Sequence, residues 1–145
     1  MKSIKTEIVI NAPKERVWGV LTDFEAYPNW NPFIVSIKGK LAVGNRVENT
    51  LLSGQKKMVF KPVVLSVVPG KYFDWLGSLF VKGIFDGHHY FEIEELAPGQ
   101  VKLTQGENFT GLFSSMIINK IGDDTRHNFT SMNEAIKKLA EQKGK

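Results

Sequence analysis

From Gly111 to Gln142 the chain carries two apolar stripes at helical spacing. Phe113, Met116, Ile117 and Ile121 form the first, and Phe129, Met132, Ile136 and Leu139 the second. Almost everything between Phe33 and Thr110 alternates instead with a period of two, as strands do. One long amphipathic helix has to bury its stripe against something, and the only apolar surface available to it is the sheet those strands make. Unbroken, the helix would measure about 45 Å at about 1.5 Å per residue. The strand from Ile84 to Glu95 would measure about 40 Å at about 3.3 Å per residue. The lengths match, so the helix is expected to lie along the sheet. Gly122-Asp123-Asp124 falls between the stripes and could kink or break the helix, since Gly costs a helix about 1 kcal/mol against Ala, so both a broken and an unbroken helix stay open.

The rest of the chain fits that frame. Lys2 to Asn11 alternates as a first strand, with Ile4, Thr6, Ile8 and Ile10 on one side. Asn11-Ala12-Pro13 ends it and opens a short helix carrying Val17, Val20 and Leu21, with Arg16 and Glu15 on its exposed face. Asp23 starts a second short helix or turn through Phe24, Tyr27 and Trp30. Six strands are then expected: Phe33 to Lys38, Arg46 to Leu52, Lys56 to Val68, Lys71 to Gly77, Gly83 to Leu96 and Gln100 to Thr110. Pro62 interrupts the third of these as a bulge or an edge. Strands in a run with helices segregated at the ends argue an α+β fold with an antiparallel sheet. At this length residues 1–145 are expected to form one domain.

Composition excludes several chemistries. With no Cys there is no disulfide, no thiolate nucleophile and no Cys-bound zinc. No Gly-x-Ser-x-Gly elbow is present, and Gly83 to Gly87 lies inside a strand, away from the helix start that a phosphate-binding loop requires. No cofactor is expected. The net charge of +4 is spread out, apart from Lys137, Lys138, Lys143 and Lys145, which read as a solvated helix end. No basic stripe interleaved with aromatics points to nucleic acid. No run reaches the length of a signal peptide or of a membrane span. A cytoplasmic protein, monomer or homodimer, is the simplest expectation.

Four pieces of sequence carry a resemblance over essentially the whole length. They are Ala12-Pro13 followed by Val17-Trp18 and Leu21-Thr22-Asp23-Phe24; Tyr27-Pro28-x-Trp30-Asn31-Pro32-Phe33; Gly87-x-His89-x-Phe91; and Glu107-x-Phe109-x-Gly111 before the long helix. In this order they resemble the polyketide cyclase/dehydrase and lipid-transport group of the START-like, birch-pollen-allergen-like helix-grip superfamily. The resemblance implies a curved antiparallel sheet of about seven strands gripping the C-terminal helix, with a mostly apolar cavity between them. It implies a small hydrophobic ligand such as a lipid, a polyketide or another aromatic metabolite. It implies no fixed catalytic set.

His89 stands out on its own. In Ile84 to Glu95 one face carries Phe85, Gly87, His89, Phe91 and Ile93, so a titratable ring sits on the dry side. Glu107 lies on the inward face of the next strand with Val101, Leu103, Gln105 and Phe109. A hairpin around Pro98 would set His89 opposite Glu107, provided an odd loop or a bulge keeps the parity. Such a pair could act as general acid and base, or serve as a satisfied polar pair that orients a ligand. His88 points to the opposite face, so the adjacent histidines cannot share one metal ion, and no metal site is expected. The candidate cavity lining is Trp30, Phe73, Trp75, Phe91, Phe109, Phe113, Met116, Phe129 and Met132, with His89 and Glu107. Any one of these aromatics could equally fill a core. Asn31 could meet a ligand head group or cap a turn. Leu79, Phe80 and Val81 read as an apolar loop at a cavity mouth or a partner contact.

Three functions remain open at this level. One is a binding protein for a small hydrophobic molecule. Another is a cyclase or dehydratase using His89. The third is a protein-interaction module of the same fold.

Overall fold

The computed structural model describes residues 2–79 and 83–142, and of Leu79 the backbone alone. Phe80 and Val81 of the expected apolar loop, and Lys143 and Lys145 of the basic end, lie outside the described residues. In chain order the elements are β1 (Lys2–Ile10), α1 (Lys14–Thr22), a single 3-10 turn at Phe24–Ala26, α2 (Tyr27–Trp30), β2 (Ile34–Lys38), β3 (Glu48–Ser53), β4 (Lys56–Phe60), β5 (Val63–Val68), β6 (Tyr72–Leu79), β7 (Phe85–Ala97), β8 (Gln100–Thr110) and α3 (Ser114–Ala140). This is the α+β helix-grip architecture: curved antiparallel sheet and one long C-terminal helix.

Five strands form one sheet in the order β1-β8-β7-β6-β5, and β2, β3 and β4 form a second. The strand expected over Lys56 to Val68 is two strands, which raises the count from about seven to the eight named above. Pro62 divides them: it has no N–H for a ladder, and it packs against β6, where a Cβ on Gly77 would sit 3.4 Å from the proline's own. The segment before β3 joins the two sheets. Arg46 bridges to Val63, Val47 N–H donates to Pro62 O at 3.0 Å, and Val64 N–H donates to Asn45 O at 2.8 Å.

The inward faces follow from parity. Ile4, Thr6 and Ile10 of β1 are buried, as are Phe73 and Trp75 of β6, Phe91 and Ile93 of β7, and Val101, Leu103 and Gln105 of β8. α1 covers one end of this surface with Val17 and Leu21, and Trp18 meets Phe73 edge to face at 5.7 Å. The Asn31 side chain caps the turn into β2 by accepting from Phe33 and Ile34 N–H, both at 2.9 Å.

α3 runs unbroken for 27 residues, about 40 Å. Gly122 sits inside it, so the helix does not break there. The two stripes have different fates. Phe129, Met132, Ile136 and Ala140 are buried on the five-stranded sheet. In the N-terminal half, Met116 and Ile121 are exposed. The helix is therefore gripped most deeply by its C-terminal half, while the N-terminal half, with Ser114 buried and Ile117 and Ile118 packed partly against the core, is the freer one. Its final carbonyls do not rely on solvent alone: Arg16 of α1, expected on an exposed face, donates to Ala140 O, Leu139 O and Gln142 O. That contact satisfies acceptors every helix end leaves over and pins α1 to α3.

Candidate active or binding site

β7 and β8 pair with His89 directly opposite Glu107. The parity this needs is supplied by a bulge at the turn, where Glu95 pairs with Val101 but Ala97 pairs with Gln100. Both side chains consequently point inward. His89 Nδ1 lies 3.4 Å from Glu107 Oε1. Room for the carboxylate comes from Gly87, the inward residue two before His89. A Cβ there would stand 2.1 Å from Glu107 Oε2, so any other residue would displace the glutamate.

The His89 ring is buried among aromatics. It stacks on Phe91 at 5.0 Å and meets Phe129 at 4.8 Å and Trp75 at 5.7 Å. Its far edge is also satisfied, with Nε2 2.9 Å from Gln105 Oε1. Gln105 Nε2 in turn donates to Asn133 Oδ1 of α3 at 2.7 Å and to Phe129 O at 3.4 Å. Asn133 Nδ2 donates to Thr6 Oγ1 at 2.8 Å, and Thr6 donates to Gln105 O at 2.8 Å. One polar chain thus threads the core from β1 through α3 and β8 to β7. Such networks are tolerable in a core only when every member is paired.

Next to this pair is a cavity of about 760 Å³. Trp75, Phe85, Gly87, His89, Glu107 and Phe109 wall it from the five-stranded sheet. Asn49, Leu51, Met58 and Phe60 wall it from β3 and β4, and Ile121, Thr125 and Asn128 from the free half of α3. Lys56 and Asp124 place one charge of each sign in the lining, both on exposed residues. Asn128 Nδ2 donates to Ser53 Oγ at 3.1 Å and ties the helix to the end of β3. Asn49 is 4% exposed, and its Oδ1 accepts no hydrogen bond from the described residues. A buried carbonyl left in this state costs about 1–3 kcal/mol, so Asn49 is a second polar point that a guest could satisfy.

Of the expected lining, Trp75, His89, Glu107 and Phe109 border this cavity. Phe73, Phe91, Phe129 and Met132 do not border it. They are buried in the core, with Phe73 and Phe91 5.0 Å apart. Trp30 borders a separate, smaller hollow of about 350 Å³ between α1 and α3, with Arg16, Val20 and Leu139. Phe113 and Met116 are 43% and 64% exposed and do not border the cavity. Sequence reasoning missed Asn49 and its neighbours. The signal was present in Val47-x-Asn49-x-Leu51, a polar residue on an apolar face, the same pattern that marked His89.

His88 belongs to a second cluster on the outer face of the sheet. Its Nε2 is 2.6 Å from Asp74 Oδ2, and its Nδ1 faces Asn108 Nδ2 at 3.2 Å. Tyr72 donates to the same Asp74 oxygen at 2.9 Å. Burial, and then this hydrogen bond to Asp74, hold the Tyr72 phenol protonated well above its ordinary range. Both His88 nitrogens are occupied, and the two histidines project to opposite faces. Among the described residues no three His, Asp or Glu side chains gather where they could hold a metal ion. No described helix is long and apolar enough to cross a membrane.

The fold is a helix grip with a walled cavity, and His89 and Glu107 sit side by side in its lining. The chain belongs to the polyketide cyclase / dehydrase and lipid transport family, whose pattern matches residues 1–142. Among solved structures it is similar to the Zhui aromatase/cyclase from Streptomyces sp. R1128, with a TM-score of 0.79 at 13% identity over 99% of this chain and 96% of that one. It is also similar to a START superfamily protein from Mycobacterium smegmatis, with a TM-score of 0.73 at 18% identity over 97% of each chain. Protein MLL2253 from Mesorhizobium loti gives a TM-score of 0.75 at 17% identity over 99% of this chain and 100% of that one. At these identities the likeness is one of fold. Among curated proteins none matches the sequence.

Proposed function

We propose that the chain binds a small hydrophobic molecule, lipid or polyketide-like, inside the cavity between the sheet and the free half of α3. The observation that carries this reading is the cavity: about 760 Å³, walled largely by aromatic and aliphatic side chains, with one polar pair at its inner end. Sites for small ligands fall at about 300–1,000 Å³, with few polar groups among apolar walls. The family's own description, polyketide cyclase / dehydrase and lipid transport, supports the same class of guest.

The test is uptake of a neutral apolar dye, N-phenyl-1-naphthylamine, followed by its fluorescence. The parent protein should take it up with a blue shift, and Leu51→Arg, which puts a charge into the wall, should abolish the signal while leaving the thermal unfolding cooperative. Dye uptake unchanged by Leu51→Arg, or no uptake by the parent, refutes the reading.

The Glu107–His89 contact favours a second reading, in which the guest is also a substrate. His89 would move a proton at a ketone or hydroxyl held against it, with Glu107 orienting the ring, as in cyclisation or dehydration. Turnover of an identified substrate that survives His89→Ala in full would remove His89 from that role.

A further inference from the structure

The polar chain behind His89 has a direction, and the direction can be read from groups that have no choice. A main-chain carbonyl only accepts. Thr6 must therefore give its single hydroxyl proton to Gln105 O, and its oxygen must accept from Asn133. That turns the Asn133 amide nitrogen toward Thr6 and its oxygen toward Gln105. Gln105 must then present its nitrogen to Asn133, which leaves its oxygen for His89. The Phe129 carbonyl, also an acceptor only, calls independently for the Gln105 nitrogen on that side. At the end of the relay His89 Nε2 faces an acceptor and must carry the proton. A neutral His89 then has a bare lone pair on Nδ1, and Nδ1 is the atom that faces Glu107 Oε1 at 3.4 Å.

We infer that Thr6, Asn133 and Gln105 are positioning residues that lock His89 as the Nε2–H tautomer, so that the inner end of the cavity presents two acceptors, His89 Nδ1 and the Glu107 carboxylate, to a ligand that supplies a hydroxyl proton. The inference rests on the cavity being a binding site and narrows what it takes. An apolar molecule ending in a phenol, enol or alcohol satisfies both acceptors through one donated proton. A carboxylate or phosphate brings a negative charge against Glu107 and no proton, so a fatty acid or a phospholipid head group does not fit at this end. Gly87 is part of the device, since it is what lets the carboxylate lie beside Nδ1.

Two measurements test this separately. The first is the long-range proton–nitrogen spectrum of the His89 ring at about pH 8, above the ordinary imidazole range. The expected result is a pyrrole-type Nε2 and a pyridine-type Nδ1. A proton on Nδ1, alone or together with Nε2, overturns the proposal. Gln105→Met removes the acceptor and should release the ring to a mixture of tautomers. Thr6→Val, outside the cavity wall and nearly isosteric, should shift the ring in the same direction and covers the case in which Gln105→Met does not fold. A ring that stays wholly Nε2–H in the folded variants refutes the relay.

The second measurement is calorimetric titration with three molecules of one shape: 2-naphthol, 2-methylnaphthalene and 2-naphthoate. The naphthol should bind about tenfold tighter than the methyl compound, and the naphthoate weakest. Naphthoate binding tighter than naphthol overturns the ligand class. If none of the three binds while Nε2–H is observed, the binding reading of the cavity fails together with the ligand class, and the tautomer lock stands.

Discussion

Two glycines on neighbouring strands give a sharp test of how the site is built. At Gly87 an added methyl would lie 2.1 Å from Glu107 Oε2 and 3.1 Å from its Cδ. To restore an ordinary contact of 3.4 Å, that oxygen must retreat by 3.4 minus 2.1, about 1.3 Å. It can do so, because it is the far end of a flexible side chain beside an open cavity. Replacing a strand glycine by Ala returns about 0.5–1 kcal/mol of backbone entropy. Moving the carboxylate off a rotamer minimum takes back about 0.5–1.5 kcal/mol. Gly87→Ala should therefore leave the melting temperature within about 4 °C of the parent while parting Glu107 from His89. At Gly106 the same methyl meets Tyr90 Oη and Cζ at 2.4 and 2.6 Å, and also the main-chain oxygen of Ile4 at 2.9 Å. That last atom belongs to the neighbouring strand and cannot swing away, so overpacking of about 1–3 kcal/mol is expected. Gly106→Ala should melt about 2–12 °C lower. Scanning calorimetry of both variants, with the His89 ring spectrum of Gly87→Ala, decides the matter. If Gly87→Ala is the less stable of the two, the carboxylate is not free to move and the site is a packed core.

Two further substitutions probe stability against function and against pH. Asn49→Leu removes the unpartnered buried carbonyl with the same number of side-chain heavy atoms, its added bulk going into the cavity; thermal unfolding should move up by about 1 kcal/mol, or about 2–4 °C, and a fall would show that Asn49 is paired in solution. The Glu141 carboxylate is held below the usual carboxylate range first by Lys137 Nζ and then by the Asn11 N–H, at 2.6 and 2.7 Å. A folded pKa below the unfolded one adds stability that is present above about pH 4.5 and fades as pH falls through the lowered value. Glu141→Gln should therefore melt below the parent at pH 7 and converge with it as pH falls through the lowered value; a gap that widens in acid would contradict the assignment.

The parts of this molecule that obey a period were legible in the sequence. Alternation placed His89, Phe91, Gln105 and Glu107 on one face, and helical spacing placed Phe129, Met132 and Ile136 on another, because one buried side imposes its repeat on the residues. What alternation does not encode is depth. Phe91 and Phe109 have the same parity on adjacent strands, yet Phe91 is core and Phe109 faces open space, because α3 covers one end of the sheet and not the other. Phe113 and Met116 are exposed although they share a stripe with Ile117, which packs against the core, because helical spacing does not encode depth either. The relay behind His89 was out of reach as well. Its members come from three elements, with Thr6 and Asn133 separated by 127 positions, and no local pattern ties a threonine in the first strand to an asparagine in the last helix. Asn49 lay within reach but was overlooked.

The proline between β4 and β5 does more than divide a strand. Where the two sheets part beside the cavity, the outer edge of β4 is left as a gap in the pairing, while residues 44–47 cover the facing edge of β5. That gap suits an incoming strand as well as a small molecule, and a second copy of the chain carries such strands. β4 is guarded against this outcome: Lys56 and Lys57 lie on it, Lys61 follows it, all three are exposed, and Pro62 closes the run. Lysine and proline on a free edge are what discourage strand addition. The exposed Met58 and Val59 between them are the residues that would otherwise invite it. An opening for ligands in a β-sheet is at the same time an opening for aggregation, and in this chain charge at the rim separates the two.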